Sequence, residues 1–212
     1  MKNGFLALAC ASFLCACAAL APEREAAWRI SPAVLGEHTV EQQLLIRWPG
    51  GERSLDAVLE IAGGRLRLVL MSFGLRVMSL EYDGETLAEE RYVPHAPDGA
   101  RMLNDLLAIA APADELRRAL PTGWELAEDP AGRVLAAAGA TRLSIRYGGP
   151  RGARDPWQGR VTLKNHAEDY ELILLSHVSI HARNRATMHG GACAPPAGDD
   201  PRKGRFPSEV DV

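Results

Sequence analysis

The residue with the clearest chemical assignment is Cys17, which closes the stretch Leu14-Cys15-Ala16-Cys17. An aliphatic side chain three positions before a cysteine, with a small one directly before it, matches the bacterial lipobox. There the sulfur carries diacylglycerol, and the amine freed by cleavage accepts a further acyl chain. The preceding residues fit. Met1 and Lys2 supply a short basic start, and residues 5–16 form an apolar run. That run is shorter than the roughly twenty residues needed to cross a bilayer and has the proportions of a secretory signal core. Cleavage at Cys10 would leave too short an apolar core, and cleavage at Cys15 would put bulky Leu14 at the cut. Each buried methylene contributes about 0.8 kcal/mol, so two or more chains hold a protein on a membrane where one does not. Ala18, not Asp, follows the cysteine, which under the enterobacterial sorting rule points to the periplasmic face of the outer membrane.

Other residues able to do chemistry are less well placed. His177 and His181 are four apart, but Val178-Ser179-Ile180 between them favours a strand, where that spacing does not set up a metal chelate as a helix would. Asp83, Glu85, Glu89 and Glu90 gather around a hairpin and read as a wet rim. Cys193 sits in a Gly/Pro-rich tail; with Cys17 acylated it is the one thiol left, so the mature chain forms no intrachain disulfide. After the leader the sequence holds no Gly-x-Ser-x-Gly elbow, no Gly-rich phosphate loop and no Cys-x-x-Cys pair. We therefore expect no catalytic residue, no metal and no cofactor, and a protein that is not an enzyme. The net charge of −3 becomes −4 when Lys2 leaves with the leader. Such a mild acidic balance argues against nucleic acid as a partner.

The elements that must carry any site follow from periodicity. From residue 42 the pattern is that of strands. Gln42, Leu44, Ile46 and Trp48 share a face before the turn Pro49-Gly50-Gly51. Leu55, Ala57, Leu59 and Ile61 alternate against Asp56 and Glu60, and Gly63-Gly64 leads into Leu66, Leu68 and Leu70. After Ser72-Phe73-Gly74, Met78, Leu80 and Tyr82 share a face, and Asp83-Gly84 turns the chain into residues 86–92. This reads as a five-stranded antiparallel meander with one wet side. The period then changes to helical: Asp98 suits an N-cap, and Met102, Leu103, Leu106, Leu107 and Ile109 recur at helical spacing. Pro112 interrupts and opens a second short helix with Leu116 and Leu120 inward, which Pro121-Thr122-Gly123 stops. Strand patterns return over residues 124–126, 133–137, 143–147, 159–164 and 170–180. Residues 148–157 read as a long loop and residues 181–212 as a disordered polar tail.

A resemblance becomes specific in several fragments taken together: Pro32-Ala33-Val34-Leu35-Gly36, Gln43-Leu44-Leu45-Ile46, Phe73-Gly74-Leu75-Arg76, Tyr82-Asp83-Gly84 and Leu103-Asn104-Asp105-Leu106. It continues in Pro112-Ala113-Asp114-Glu115-Leu116-Arg117, Ala119-Leu120-Pro121-Thr122-Gly123-Trp124 and Tyr170-Glu171-Leu172. In order and spacing these resemble an uncharacterised family of bacterial lipoproteins related in fold to LolA and LolB, the carrier and outer-membrane receptor of lipoprotein transport. Members of that family often occur in gene clusters for aryl-polyene pigments. The likeness covers roughly residues 30–178. One departure is that Leu107 to Ala111 precede Pro112 where the family pattern runs through Gln-Leu to Trp-Pro.

The resemblance implies an α+β fold: an antiparallel, incompletely closed β-barrel around an apolar cavity, with a short helical plug. The expected organisation is a signal peptide over 1–16, a lipidated tether over 17–29, the half-barrel over 30–180 and the polar tail over 181–212. Leu59, Ile61, Leu66, Leu68, Leu70, Met78, Leu80 and Leu106 are the expected lining for hydrophobic cargo; the same residues suit a packed core equally well. Phe73 and Leu75, around Gly74, are the expected membrane-contact loop, the alternative being ordinary turn packing. Function on this reading is binding and handover of a lipid or lipidated cargo, an aryl-polyene lipid among the options, at the outer membrane. A periplasmic carrier protein is an expected partner besides the membrane lipid reached through Cys17. The competing expectation is a structural or adaptor lipoprotein that recruits biosynthetic or export partners.

Overall fold

The computed structural model describes residues 26–148 and 155–178, with the side chains of the last two described residues left aside. The segments expected to be the signal peptide (1–16) and the polar tail (181–212, with His181 and Cys193), together with Cys17 and most of the expected tether, lie outside the described residues, as does the side chain of His177.

A short 3-10 helix, Pro32–Leu35, precedes ten strands: β1 His38–Trp48, β2 Gly51–Ala62, β3 Arg65–Ser72, β4 Leu75–Tyr82, β5 Leu87–Arg91, β6 Trp124–Asp129, β7 Gly132–Ala137, β8 Ala140–Tyr147, β9 Gly159–Asn165 and β10 Tyr170–Val178. Two helices, α1 Gly99–Ala110 and α2 Ala113–Ala119, connect β5 to β6. All ten strands join one antiparallel sheet in the order β5-β4-β3-β2-β1-β10-β9-β8-β7-β6. The outer strands β5 and β6 do not pair, so hydrogen bonds leave the sheet open, giving an open, barrel-like α+β fold.

Alternation along the strands produces one core. On β2 Leu55, Ala57, Leu59 and Ile61 are buried, and on β3 Leu66, Leu68 and Leu70 are buried while Arg65 and Arg67 face water. The register places Leu59 opposite Leu68 and Leu68 opposite Leu80, so the inward side chains stack across strands. A register shift between Leu70 and Met71 lets both Val77 and Met78 of β4 become buried. The opposite face is laced by cross-strand ion pairs, with Arg67 reaching Glu60 at 3.9 Å and Glu81 at 3.5 Å, and Arg65 reaching Glu81 at 2.9 Å. Pairs this exposed add little stability. The Arg65 and Arg67 guanidiniums hold the Glu81 carboxyl below its ordinary pKa.

Helix α1 is buried on nearly every side, through Met102, Leu103, Asn104, Asp105, Leu106, Leu107, Ala108 and Ile109, and its apolar members join the same core as the strands. A helix apolar over so much of its circumference has to be enclosed. Its ends are tied by polar groups. Asp98 accepts the Arg101 N–H at 3.0 Å as N-cap, and the Glu89 carboxylate accepts the Gly99 N–H at 3.0 Å. At the other end Arg133 of β7 donates to the carbonyls of Ala108 at 2.9 Å and Ile109 at 3.4 Å, and the Tyr147 hydroxyl of β8 donates to Ile109 at 2.6 Å. No helix of the described residues is long and apolar enough to cross a membrane.

The strands expected from the sequence are all present with shifted bounds: β1 begins at His38 rather than residue 42, β6 runs on to Asp129, and β5 is shorter than the expected 86–92. The second helix begins after Pro112, which occupies the N-cap position. The folded part also starts earlier than residue 30. Trp28, read from the sequence as part of the 17–29 segment, is only 5% exposed and belongs to the core.

Candidate functional site

The cleft richest in mixed chemistry is assembled by α1, α2, the segment before the 3-10 helix, and the β8–β9 end of the sheet. It measures about 570 Å³, and its wall includes Trp28, Trp124, Asn104, Asp105, Arg142 and Asn165. That size suits a small ligand or the head of a larger one. Trp28 and Trp124 meet edge to face, ring centroids 5.9 Å apart and planes at 74°.

Local bonding fixes the wall. Asn104, in mid-helix, accepts the Trp28 N–H at 2.8 Å through Oδ1 and donates through Nδ2 to the Ala26 carbonyl at 3.0 Å. One amide side chain thus binds the 26–28 segment to α1 as a strand neighbour would. From the other side the Tyr82 hydroxyl receives the Ile30 N–H at 3.1 Å and shares its own proton between the carbonyls of Trp28 and Gly84, each at 2.7 Å. Burial raises the Tyr82 pKa, which keeps that proton in place.

At the cleft floor the Tyr170 hydroxyl donates to the buried Asp105 carboxylate and accepts from Asn165 Nδ2 at 3.2 Å. Burial, then the Asp105 charge, push the Tyr170 pKa far upward, so the phenol stays a donor. Asn165 Oδ1 in turn accepts the N–H groups of Ala167 and Glu168, each at 3.0 Å, and orders the β9–β10 turn. The Glu168 carboxylate on the wall is paired to Arg101 at 3.2 Å.

Cations dominate what is left over. Arg118 is paired to Glu115 at 2.6 Å, whereas Arg29 stands exposed at the rim. Arg142 is half-buried on β8; it makes no ion pair among the described residues, and its Nε is buried without a hydrogen-bond partner. The cleft therefore joins an aromatic wall to a guanidinium with donor capacity to spare.

The eight residues expected to line a cargo cavity, Leu59, Ile61, Leu66, Leu68, Leu70, Met78, Leu80 and Leu106, are brought together by the fold. All are buried, seven on β2–β4 and Leu106 on α1, they belong to one core, and none lines the cleft. Phe73 and Leu75 do emerge at a surface. Phe73 is fully exposed and Leu75 73% exposed at the β3–β4 hairpin. The two turn residues Phe73 and Gly74 take φ of 51° and 76°, as a tight primed turn requires. Glycine adopts that conformation freely, but for phenylalanine it costs roughly 1–2 kcal/mol.

The carboxylates around the next hairpin have mostly structural employment. Asp83 accepts the N–H groups of Thr86 at 2.8 Å and Glu85 at 3.0 Å, which lowers its pKa; Glu89 pairs with Arg91 at 2.7 Å as well as capping α1. Sequence reasoning missed the cleft, since neither Trp28 nor Arg142 carries a periodic signal. The legible clue was Asn104-Asp105, two polar residues amid an apolar helical run.

The chain has no match among curated proteins. Residues 39–178, from the first strand to the last and well over half of the 212 residues, match the family described as protein of unknown function (DUF3261), and the chain belongs to that family.

Proposed function

We propose that the protein is lipidated at Cys17, held at the periplasmic face of the outer membrane, and binds and hands over a lipid or lipidated cargo there, with a LolA/LolB-like half-barrel as its body. The observation that carries this reading is α1: a helix enclosed inside an open sheet whose inward face is apolar from β2 to β4. Such a sheet offers acyl chains a desolvated surface once the helix yields part of it, at about 25 cal/mol per Å² removed from water. The lining residues named from the sequence share one core with the apolar side chains of α1. Polar ties at the ends and middle of the helix, from Asp98, Arg133, Tyr147 and Tyr170, give it a defined closed position to return to.

Two further features fit. Nine residue-to-residue steps lead from Cys17 to Ala26 at the cleft wall, so a fully extended tether spans at most about 30 Å and keeps the cleft close to the bilayer. The exposed Phe73 and Leu75 supply an apolar tip for touching a membrane during handover. The partners on this reading are membrane lipid, a hydrophobic cargo, an aryl-polyene lipid among the options, and a periplasmic carrier that delivers it.

A second reading is favoured by the filled core: an adaptor lipoprotein that recruits biosynthetic or export partners without cargo. Mass spectrometry of organic extracts separates the two. A Cys17→Ala form, exported behind a cleavable signal in its native host and purified without detergent, is expected to carry a stoichiometric lipid or acylated peptide. A protein reproducibly free of lipid, and unable to take up a fluorescent fatty acid, decides for the adaptor.

A further inference from the structure

We infer that the Trp28–Trp124–Arg142 cleft is the seat for the anionic head of an amphiphile, a carboxylate or phosphate monoester or diester, whose apolar body continues toward α1. The inference rests on the carrier reading and deepens it by naming the chemistry of the cargo's polar end.

Three observations converge. The first is the imbalance of charge. Five ionisable side chains line the cleft. The two carboxylates are engaged, Asp105 by the Tyr170 hydroxyl and Glu168 by Arg101. Of the three guanidiniums Arg118 has Glu115, whereas Arg142 makes no ion pair among the described residues. The second is the orphaned donor. A buried N–H without an acceptor is costly, more so when it is charged, and an anion of planar or tetrahedral oxygens is the partner that removes this cost. The third is the company Arg142 keeps. Trp124, Ala119, Pro121 and Leu143 share the wall, so a ligand reaching the guanidinium also covers apolar surface. A free inorganic anion would leave that surface wet. Asn104 and Asp105 belong both to this wall and to α1, so an occupant of the cleft touches the buried helix whose apolar side chains share the core of the sheet.

The test uses ω-bromoundecanoate and its methyl ester as probes on the exported Cys17→Ala chain, with tryptophan fluorescence as readout, because bromine quenches an indole only on contact. The carboxylate is expected to quench saturably and to bind at least tenfold more tightly than the ester at neutral pH. Trp124→Phe should remove most of the quenching. Arg142→Gln should reduce the preference for the anion to less than threefold while leaving ester binding in place, and Arg142→Lys should retain part of it. The ester result and an unchanged circular dichroism spectrum show that the Gln variant is folded; were it not, the Lys variant and Trp124→Phe carry the decision. Inorganic phosphate at millimolar concentration is expected not to compete. Equal affinity for acid and ester, or an anion preference that survives Arg142→Gln, overturns this inference and leaves the carrier reading standing. Competition by phosphate at the same concentrations as the fatty acid overturns the amphiphile in favour of a free anion. Failure of both probes to bind overturns the inference together with the carrier reading.

Discussion

Replacing Arg133 by methionine tests the claim that α1 is held by its C-terminal end. Met keeps the apolar stem and removes the guanidinium. Three bonds go with it: Nε to Glu128 at 2.8 Å, and Nη1 to the carbonyls of Ala108 at 2.9 Å and Ile109 at 3.4 Å. Arg133 is only 6% exposed and Glu128 15% exposed, so water does not replace the lost partners readily. Removing one member of a buried ion pair costs about 3–5 kcal/mol. Two residual contacts move the expectation to the lower end: Glu128 keeps Arg117 at 3.6 Å, and the Ile109 carbonyl keeps the Tyr147 hydroxyl. We expect a loss of about 3 kcal/mol, equivalent to a fall in Tm of about 6–12 °C for a domain of this size. Glu128→Gln leaves Arg133 its two carbonyls and should cost less, about 1–2 kcal/mol. Urea unfolding followed by circular dichroism measures both, and the double variant gives their coupling. A cost below about 1 kcal/mol for Arg133→Met, or a larger cost for Glu128→Gln, would refute the view that the arginine works by capping the helix.

Tyr82→Phe strands the Ile30 N–H and the Trp28 carbonyl, with an expected cost of about 1–3 kcal/mol and faster hydrogen exchange at Ile30, while amides of β8 keep their protection. Phe73→Asn exchanges a strained aromatic for a residue at ease with positive φ, so stability should rise by about 0.5–1 kcal/mol while association with anionic vesicles falls; a loss of stability would mean that Phe73 packs usefully where it stands. Asp83 has a folded pKa below its ordinary 3.8 because backbone N–H groups bond its carboxylate. Its contribution is therefore full above that ordinary value and is lost as pH falls through the lowered one. Asp83→Asn should make acid unfolding shallower below about pH 4, and an unaltered acid limb would contradict the assignment.

Strand alternation and helical spacing made most of the fold legible. Leu66, Leu68 and Leu70 against Arg65 and Arg67 could be assigned to opposite faces without knowing their neighbours, and Asp98 could be read as a cap from its place before an apolar helix. The 26–30 segment could not. Trp28 lies in a stretch of Ala, Glu and Arg with no period, and what buries it are single side chains, Asn104 and Tyr82, more than fifty positions away. The cleft was hidden for the same reason, its wall drawing on residues from Trp28 to Glu168. Those residues meet through long-range contacts such as the bonds of Asn104 to Ala26 and Trp28, which no local pattern encodes. Whether Leu59 or Leu106 lined a cavity or filled a core was likewise open, since both demand the same apolar side chains on the same face; that the two end in one buried core belongs to the tertiary arrangement.

The β1–β10 seam bears on how the chain reaches its folded state. Every other pair in the sheet joins strands consecutive in sequence, so two meanders, β1 to β5 and β6 to β10, are each built from short hairpins. The seam instead brings Val40 to Val178, 138 positions apart, and its closure carries the entropy of the whole intervening chain. Zipping the seam should then be the slow step. A circular permutant that joins residue 178 to residue 26 through a short linker and opens between β5 and α1 closes a loop of about twenty residues instead. The saving is about 2 kcal/mol of closure entropy, and such a permutant should refold on the order of tenfold faster or more with its unfolding rate little changed.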